Sequence, residues 1–303
     1  MELAMIGLGR MGANMARRLQ LGGHRVQGFD PGEAARAEAT GHGITAHASL
    51  DAVLQCMPAP RVVWLMIPSA VVDGMLDELL VRLAPGDTVV DGGNSWYRDT
   101  QARGERLAGQ GIHYVDCGTS GGIWGLSEGY SLMVGGDEAV VTPLHPLFST
   151  LAPAPDRGWA HVGPLGAGHY CKMIHNGIEY GMMQAYAEGF ALLERKQEFN
   201  LDLAQIGEVW RHGSVVRSWL LDIGTEALKH NPTLQGIAPY VPDSGEGRWT
   251  VREAIDLDVS TPVLTLSLLE RLRSREANSF ADRLLAEMRN GFGGHAVHRT
   301  DVP

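Results

Sequence analysis

The glycine loop at residues 7–12 limits the folds open to this chain more than any other feature. Gly7-Leu8-Gly9-Arg10-Met11-Gly12 follows the apolar run Leu3-Ala4-Met5-Ile6 and leads into a helical pattern over about residues 11–21. A strand, a GxGxxG turn and a helix in that order open a βαβ unit. Glycine there permits the tight turn and lets backbone N–H groups approach a pyrophosphate at the positive end of the helix. The loop therefore reads as a dinucleotide site, with Gly7, Leu8, Gly9, Arg10, Met11 and Gly12 as candidate contacts. Asp30 closes a second strand within residues 24–30, about 20 residues beyond the loop, where a ribose-binding acid belongs. Its carboxylate would accept hydrogen bonds from ribose hydroxyls and repel a 2′-phosphate, and no arginine follows before Arg36. NAD is expected as the cofactor, with NADP the poorer one.

Further strands are expected at residues 62–67, 88–91 and 112–117, separated by helical patterns such as 70–83 and 99–110. This alternation predicts a doubly wound (Rossmann) parallel sheet. Near Val162 the pattern changes. Gly163-Pro164-Leu165-Gly166 reads as a boundary, a long helical segment follows from Gly168 to about Phe199, and nearly everything after it is helical. The expected organisation is an α/β domain over 1–163 and an all-α domain with a C-terminal tail over 164–303. With 44% hydrophobic and 20% charged residues, the composition suits two packed domains rather than a disordered chain. A net charge of −10 argues against a nucleic-acid or anionic-membrane partner. Cys56, Cys117 and Cys171 form no CxxC pair, and His42, His47, His145 and His161 have no ligand spacing, so no metal is expected. No apolar run approaches the ~20 residues needed to span a bilayer. The first such run breaks at once into the glycine loop, unlike a signal peptide, so a soluble, cytoplasmic protein is expected.

Two glycine-rich strings follow predicted strands at the edge where open α/β sheets bind ligands. In Asp91-Gly92-Gly93-Asn94-Ser95, Asn94 offers an amide that both donates and accepts. In Ser120-Gly121-Gly122, a hydroxyl and exposed N–H groups suit a substrate carboxylate. The long helix holds the most informative pattern. Lys172, His175, Asn176 and Glu179 stand at i, i+3, i+4 and i+7, which on a helix is one polar stripe about 100° wide. Cys171, Met173, Ile174 and Ile178 around it are apolar, so the stripe is expected inside a buried helix. A base and an acid two turns apart can serve two proton transfers on one substrate. Near the end of the chain, Arg289 can grip a phosphate bidentately and His295 can add a hydrogen bond.

Together these strings resemble the 6-phosphogluconate dehydrogenase family. The glycine loop is joined by DGGNSWYRDT (91–100), SGG (120–122), SLMVGG (131–136), GAGHYCKMIHNGIEYGMMQ (166–184), GRWT (247–250) and RNGFGGH (289–295), and at 303 residues the chain is similar to the short form. The resemblance implies Lys172 and Glu179 as the catalytic pair. It implies substrate contacts at Asn94, Ser120, Gly121, Gly122, His175, Asn176 and Tyr180, and cofactor contacts at the loop, Asp30, Met66, Ile67, Pro68 and Asn94. Arg289 and His295 would then bind substrate phosphate across a homodimer, with tetramers also open. Two departures stand out. The family's phosphate lysine is here Ser244, beside Glu246, and the helical phosphate arginine falls on Arg271 or Arg273, with Arg271 preferred.

The implied reaction is oxidative decarboxylation of 6-phosphogluconate. Lys172 is the base, its pKa lowered by burial, and Glu179 is the acid. A 3-hydroxyisobutyrate-type β-hydroxyacid dehydrogenase shares the loop, SGG and the lysine, but not His175-Asn176 followed by Glu179 or the 91–95 string. A non-catalytic nucleotide sensor on the same fold is the alternative from another class.

Overall fold

The computed structural model describes residues 1–293 and 296–298. By the density of its packing the chain divides into two compact units, Met1–Gly177 and Ile178–Pro303.

The first unit is built on eight strands: β1 (Glu2–Ile6), β2 (Arg25–Phe29), β3 (Thr45–His47), β4 (Val62–Leu65), β5 (Thr88–Asp91), β6 (His113–Ser120), β7 (Ser131–Gly135) and β8 (Trp159–Gly163). Its helices are α1 (Arg10–Leu21), α2 (Glu33–Gly41), α3 (Leu50–Gln55), α4 (Ser69–Leu80), α5 (Tyr97–Ala108), α6 (Gly125–Glu128), α7 (Glu138–Val141) and α8 (His145–Leu151). Helix α9 (Ala167–Arg195) begins in this unit and continues into the second. There it is followed by α10 (Leu203–Arg211), α11 (Trp219–His230), α12 (Glu246–Asp256), α13 (Pro262–Arg273) and α14 (Phe280–Gly293).

The strands form one sheet in the order β3-β2-β1-β4-β5-β6-β7-β8. Period-two alternation assigns side chains to its two faces. On β1, Leu3 and Met5 join one core with Trp64, Val90, Val115 and Phe148. Ala4 and Ile6 join the other with Val63, Leu65, Val89 and Leu76. Burial on both faces explains why these strands read as continuous apolar runs. The order reverses at β1, which pairs with β2 on one side and β4 on the other, opening a crevice at the carboxyl ends of the strands.

The sheet departs from the all-parallel expectation at one pair. β6 and β7 run antiparallel, Ser120 opposite Ser131. Only residues 121–130 join them, too short for a parallel crossover, which takes a dozen residues or more.

Helix α9 lies against β6 and β7 at backbone distance because glycines leave the space. A Cβ on Gly118 would come 2.4 Å from Lys172 Cβ and 2.7 Å from the Gly168 carbonyl. A Cβ on Gly168 would come 2.3 Å from the Met133 carbonyl. Gly118→Ala should therefore push α9 off the sheet and destabilise the protein by about 1–3 kcal/mol, the usual scale of overpacking. Denaturant unfolding checks this, with Gly109→Ala, where the nearest atom lies at 3.5 Å, as the tolerated control.

Candidate active site

The glycine loop closes on itself through backbone contacts that only glycine allows. Gly7 has φ +94°, its N–H donates to the Phe29 carbonyl at 2.8 Å, and a Cβ there would lie 2.4 Å from the Met66 carbonyl. A Cβ on Gly12 would stand 2.0 Å from the Gly7 carbonyl. At Gly9, the residue before α1, an added Cβ would meet nothing within 4 Å. The start of α1 thus faces an open cradle bounded by backbone, and its shape suits a dinucleotide pyrophosphate. Arg10 opens α1 exposed, while Met11 packs on the sheet core. Leu8 is buried with its side chain in that core, so it offers the loop only its main chain.

Asp30 stands at the end of β2 and braces this loop. Its Oδ2 accepts from the Leu8 N–H at 2.9 Å and its Oδ1 from the Gly32 N–H at 2.8 Å. Arg36 donates to the Asp30 and Pro31 carbonyls at 2.8 and 2.9 Å. Met66, Ile67 and Pro68 follow β4 next to the loop, the Met66 N–H bonding the Ile6 carbonyl at 2.7 Å. After β5, Asn94 is exposed between two pinned neighbours. The Gly93 N–H and the Ser95 hydroxyl donate to the two oxygens of Asp91, at 3.1 and 2.7 Å.

Ser120 ends β6, and Gly121 and Gly122 take φ of +135° and +52°, in the left-handed region that favours glycine. Tyr130 lies fully buried beneath them, 3.1 Å from where a Gly121 Cβ would be, and burial pushes its phenol up to about 12.

The start of α9 is held by Asp116, a fully buried residue of β6 that the sequence reading did not single out. Its Oδ1 accepts from the Gly166 N–H at 2.8 Å and its Oδ2 from the His169 N–H at 2.7 Å. A carboxylate is favoured there by the positive end of the helix. His169 in turn meets the Thr100 hydroxyl at 2.7 Å. Three residues along, Lys172 is 6% exposed and donates to Asn176 Oδ1 at 2.6 Å, with His175 Nδ1 3.3 Å from its Nζ. His175 Nδ1 also lies 3.2 Å from Asn176 Oδ1. Lys172, His175 and Asn176 of the polar stripe therefore form one hydrogen-bonded cluster. Its flank is only partly as expected: Met173 is buried, Cys171 and Ile174 are half-buried, but Ile178 is exposed. Ile178 is the first residue of the second unit.

In the second unit α9 carries Glu179, half-buried, and Tyr180, buried. The Arg271 guanidinium stacks 3.6 Å from the centre of the Tyr180 ring and donates to the Pro242 carbonyl at 3.1 Å. Arg273 is instead engaged by Asp282 and Glu276. The Ser244 N–H approaches Tyr180 Oη at 3.5 Å, and the Ser244 hydroxyl donates to buried Glu246. A Cβ on Gly247 would come 2.6 Å from the Tyr180 ring. Arg289 is exposed on α14, which continues past it to Gly293. His295 lies outside the described residues. Among the described residues no group of three or more His, Cys, Asp or Glu side chains is arranged to hold a metal ion.

Residues 2–163 match the family described as the NAD binding domain of 6-phosphogluconate dehydrogenase, and residues 168–286 match its C-terminal domain. The NAD(+)-dependent, decarboxylating 6-phosphogluconate dehydrogenase of Haloferax volcanii is 41% identical over 303 residues, covering 99% of this chain and all of that one. The NADP(+)-dependent enzyme of Bacillus subtilis is 33% identical over 90% of this chain but 61% of its own length. The Plasmodium falciparum 6-phosphogluconate dehydrogenase structure shares the fold, with a TM-score of 0.84 over 99% of this chain and 67% of its own at 24% identity. The fold and the paired domains define a dinucleotide-dependent oxidoreductase class. Within it, the chain belongs to the 6-phosphogluconate dehydrogenase family.

Proposed function

We propose that this chain oxidises and decarboxylates 6-phospho-D-gluconate to D-ribulose 5-phosphate and CO₂, with NAD as the preferred cofactor and NADP as the poorer one. The observation that carries the reading is the buried Lys172 amine, hydrogen-bonded to Asn176 and beside His175 on the helix turn that rests on β6. Residues 1–163 form the cofactor domain in this reading, and residues 164–303 the substrate-binding and dimerisation domain. Gly7 to Gly12, Asp30, Met66 to Pro68 and Asn94 hold the dinucleotide. When bound, NAD supplies the acceptor for the hydride from C3.

Lys172 Nζ takes the proton of the substrate 3-hydroxyl as C3 is oxidised. The resulting β-keto acid loses CO₂ because the adjacent ketone accepts the electron pair. Lys172 Nζ then returns its proton to that oxygen as the enediol forms, and the Glu179 carboxyl protonates the substrate's C2, which becomes C1 of the ribulose 5-phosphate product. His175 and Asn176 hold the amine and the substrate hydroxyls, and Asn94, Ser120, Gly121 and Gly122 receive the carboxylate end. Tyr180, Arg271, Arg289 and His295 bind the phosphate, the last two from the neighbouring subunit of a homodimer or tetramer. The stacked placement of Arg271 on Tyr180, against the carboxylate pairing of Arg273, supports the choice between those two arginines. No helix among the described residues is long and apolar enough to cross a membrane, which fits the cytoplasmic setting proposed here.

Two experiments test this reading. Lys172→Met should cut kcat at least about 100-fold, the lower range for loss of a general base, with the dissociation constant for NAD unchanged by fluorescence titration. Retention of more than about a hundredth of wild-type kcat would remove Lys172 as the base. The ratio of kcat/KM for NAD over NADP should favour NAD. Asp30→Ser with Pro31→Arg should move it toward NADP, since the carboxylate repulsion is lost and a guanidinium is gained. A wild-type preference for NADP would overturn the reading of Asp30.

A further inference from the structure

A buried guanidinium ties together the two loops just assigned to dinucleotide and substrate. Arg103 of α5 is 5% exposed. Its Nε and Nη2 donate to the two oxygens of Asp73 at 2.9 Å each, and Nη2 also lies 3.4 Å from the Ser69 carbonyl. Ser69 and Asp73 belong to the first turns of α4, directly after Met66, Ile67 and Pro68. From the other side, Nη1 donates to Ser95 Oγ at 3.2 Å and stands 3.8 Å from Asp91 Oδ2. Asp91 is fully buried and also accepts from the Tyr114 hydroxyl at 3.1 Å. The loops themselves touch: a Cβ on Gly93 would lie 2.9 Å from the Ile67 carbonyl, and one on Gly92 would lie 2.7 Å from Met66 Sδ. Arg103 is thus the brace across a backbone contact too close to admit a side chain.

We propose that Arg103 is a positioning residue that sets Asn94 and the 66–68 segment in register with each other. The planar fork of the guanidinium supplies donors in fixed directions toward both loops, which a lysine ammonium cannot reproduce. The charge of Asp91 is paired from the same group, so the brace and the neutralisation of a buried carboxylate come from one side chain. The inference rests on the reading of Asn94 given under the proposed function.

Arg103→Lys keeps a cation beside Asp91 and loses the fork. It should raise both the dissociation constant for NAD, read by fluorescence titration, and the KM for 6-phosphogluconate by about tenfold, in line with the cost of small misplacements at a site. In an Asn94→Ala background the same change should alter KM by less than about twofold, because the group it positions is gone. An equal effect in both backgrounds, or a lowered Tm with KM and the NAD constant unchanged, would make Arg103 purely structural and overturn the proposal. Asn94→Ala alone tests the underlying reading. If it leaves KM unaltered, that reading fails, and the NAD constant of Arg103→Lys still decides the brace. If Arg103→Lys does not fold, Ser95→Ala takes its place in the same cycle, since Tyr114 still holds Asp91.

Discussion

The proposed chemistry depends on how closely the first turns of α9 lie on β6. Gly118 removes the side chain that would hold the helix away, and Asp116 uses both carboxylate oxygens to bind the Gly166 N–H just before α9 and the His169 N–H in its first turn. An unmade hydrogen bond at such a buried terminus would cost about 1–3 kcal/mol, so the strand and the helix are fixed together. Lys172 inherits that precision. Its Cβ sits over Gly118, and the amine is left to Asn176 and His175. The base proposed here stands on a helix docked on a strand and needs no loop to place it.

The opposite arrangement holds at the sheet edge. The glycine loop and the 91–95 loop are irregular backbone, and each is held by a carboxylate behind it. Asp30 bonds the Leu8 and Gly32 N–H groups, and Asp91 bonds Gly93 and Ser95. Asp30 therefore has a structural duty as well as the ribose-binding one proposed for it. In the second unit Ser244, the position where the resemblance places the family's phosphate lysine, donates its hydroxyl to Glu246. Positive charge nearby is abundant but mostly engaged. Arg248 and Arg275 both pair with Asp243 and hold its carboxyl below the usual range. Arg271 lies on an aromatic face rather than on a carboxylate, which leaves it the better suited of these to a phosphate.

Much of the fold was legible because the physics is local. Four buried strands read as apolar runs, and the GxGxxG turn has few other uses between a strand and a helix. The three strands not anticipated are short or lie toward an edge of the sheet. β3 has three residues, and on β8 exposed and half-buried positions alternate. The antiparallel β6–β7 pair follows from the length of a connection whose ends could not be recognised without β7. In the site, the stripe from Lys172 to Asn176 was readable from helical period alone. Asp116 and Arg103 were not, because their partners lie 8 to 53 residues away, and only the fold brings them together. Ile178 was misjudged because period shows which face of a helix is apolar, not which of its residues the fold buries.

The most direct measurement follows both products of a single reaction. With 6-phosphogluconate labelled at C1 and NAD supplied, the account requires labelled CO₂ and NADH to appear in equal amounts, with ribulose 5-phosphate as the sugar product. NADH formed without CO₂ would reduce the protein to a β-hydroxyacid dehydrogenase, and no turnover under conditions where NAD binds would remove the enzymatic reading.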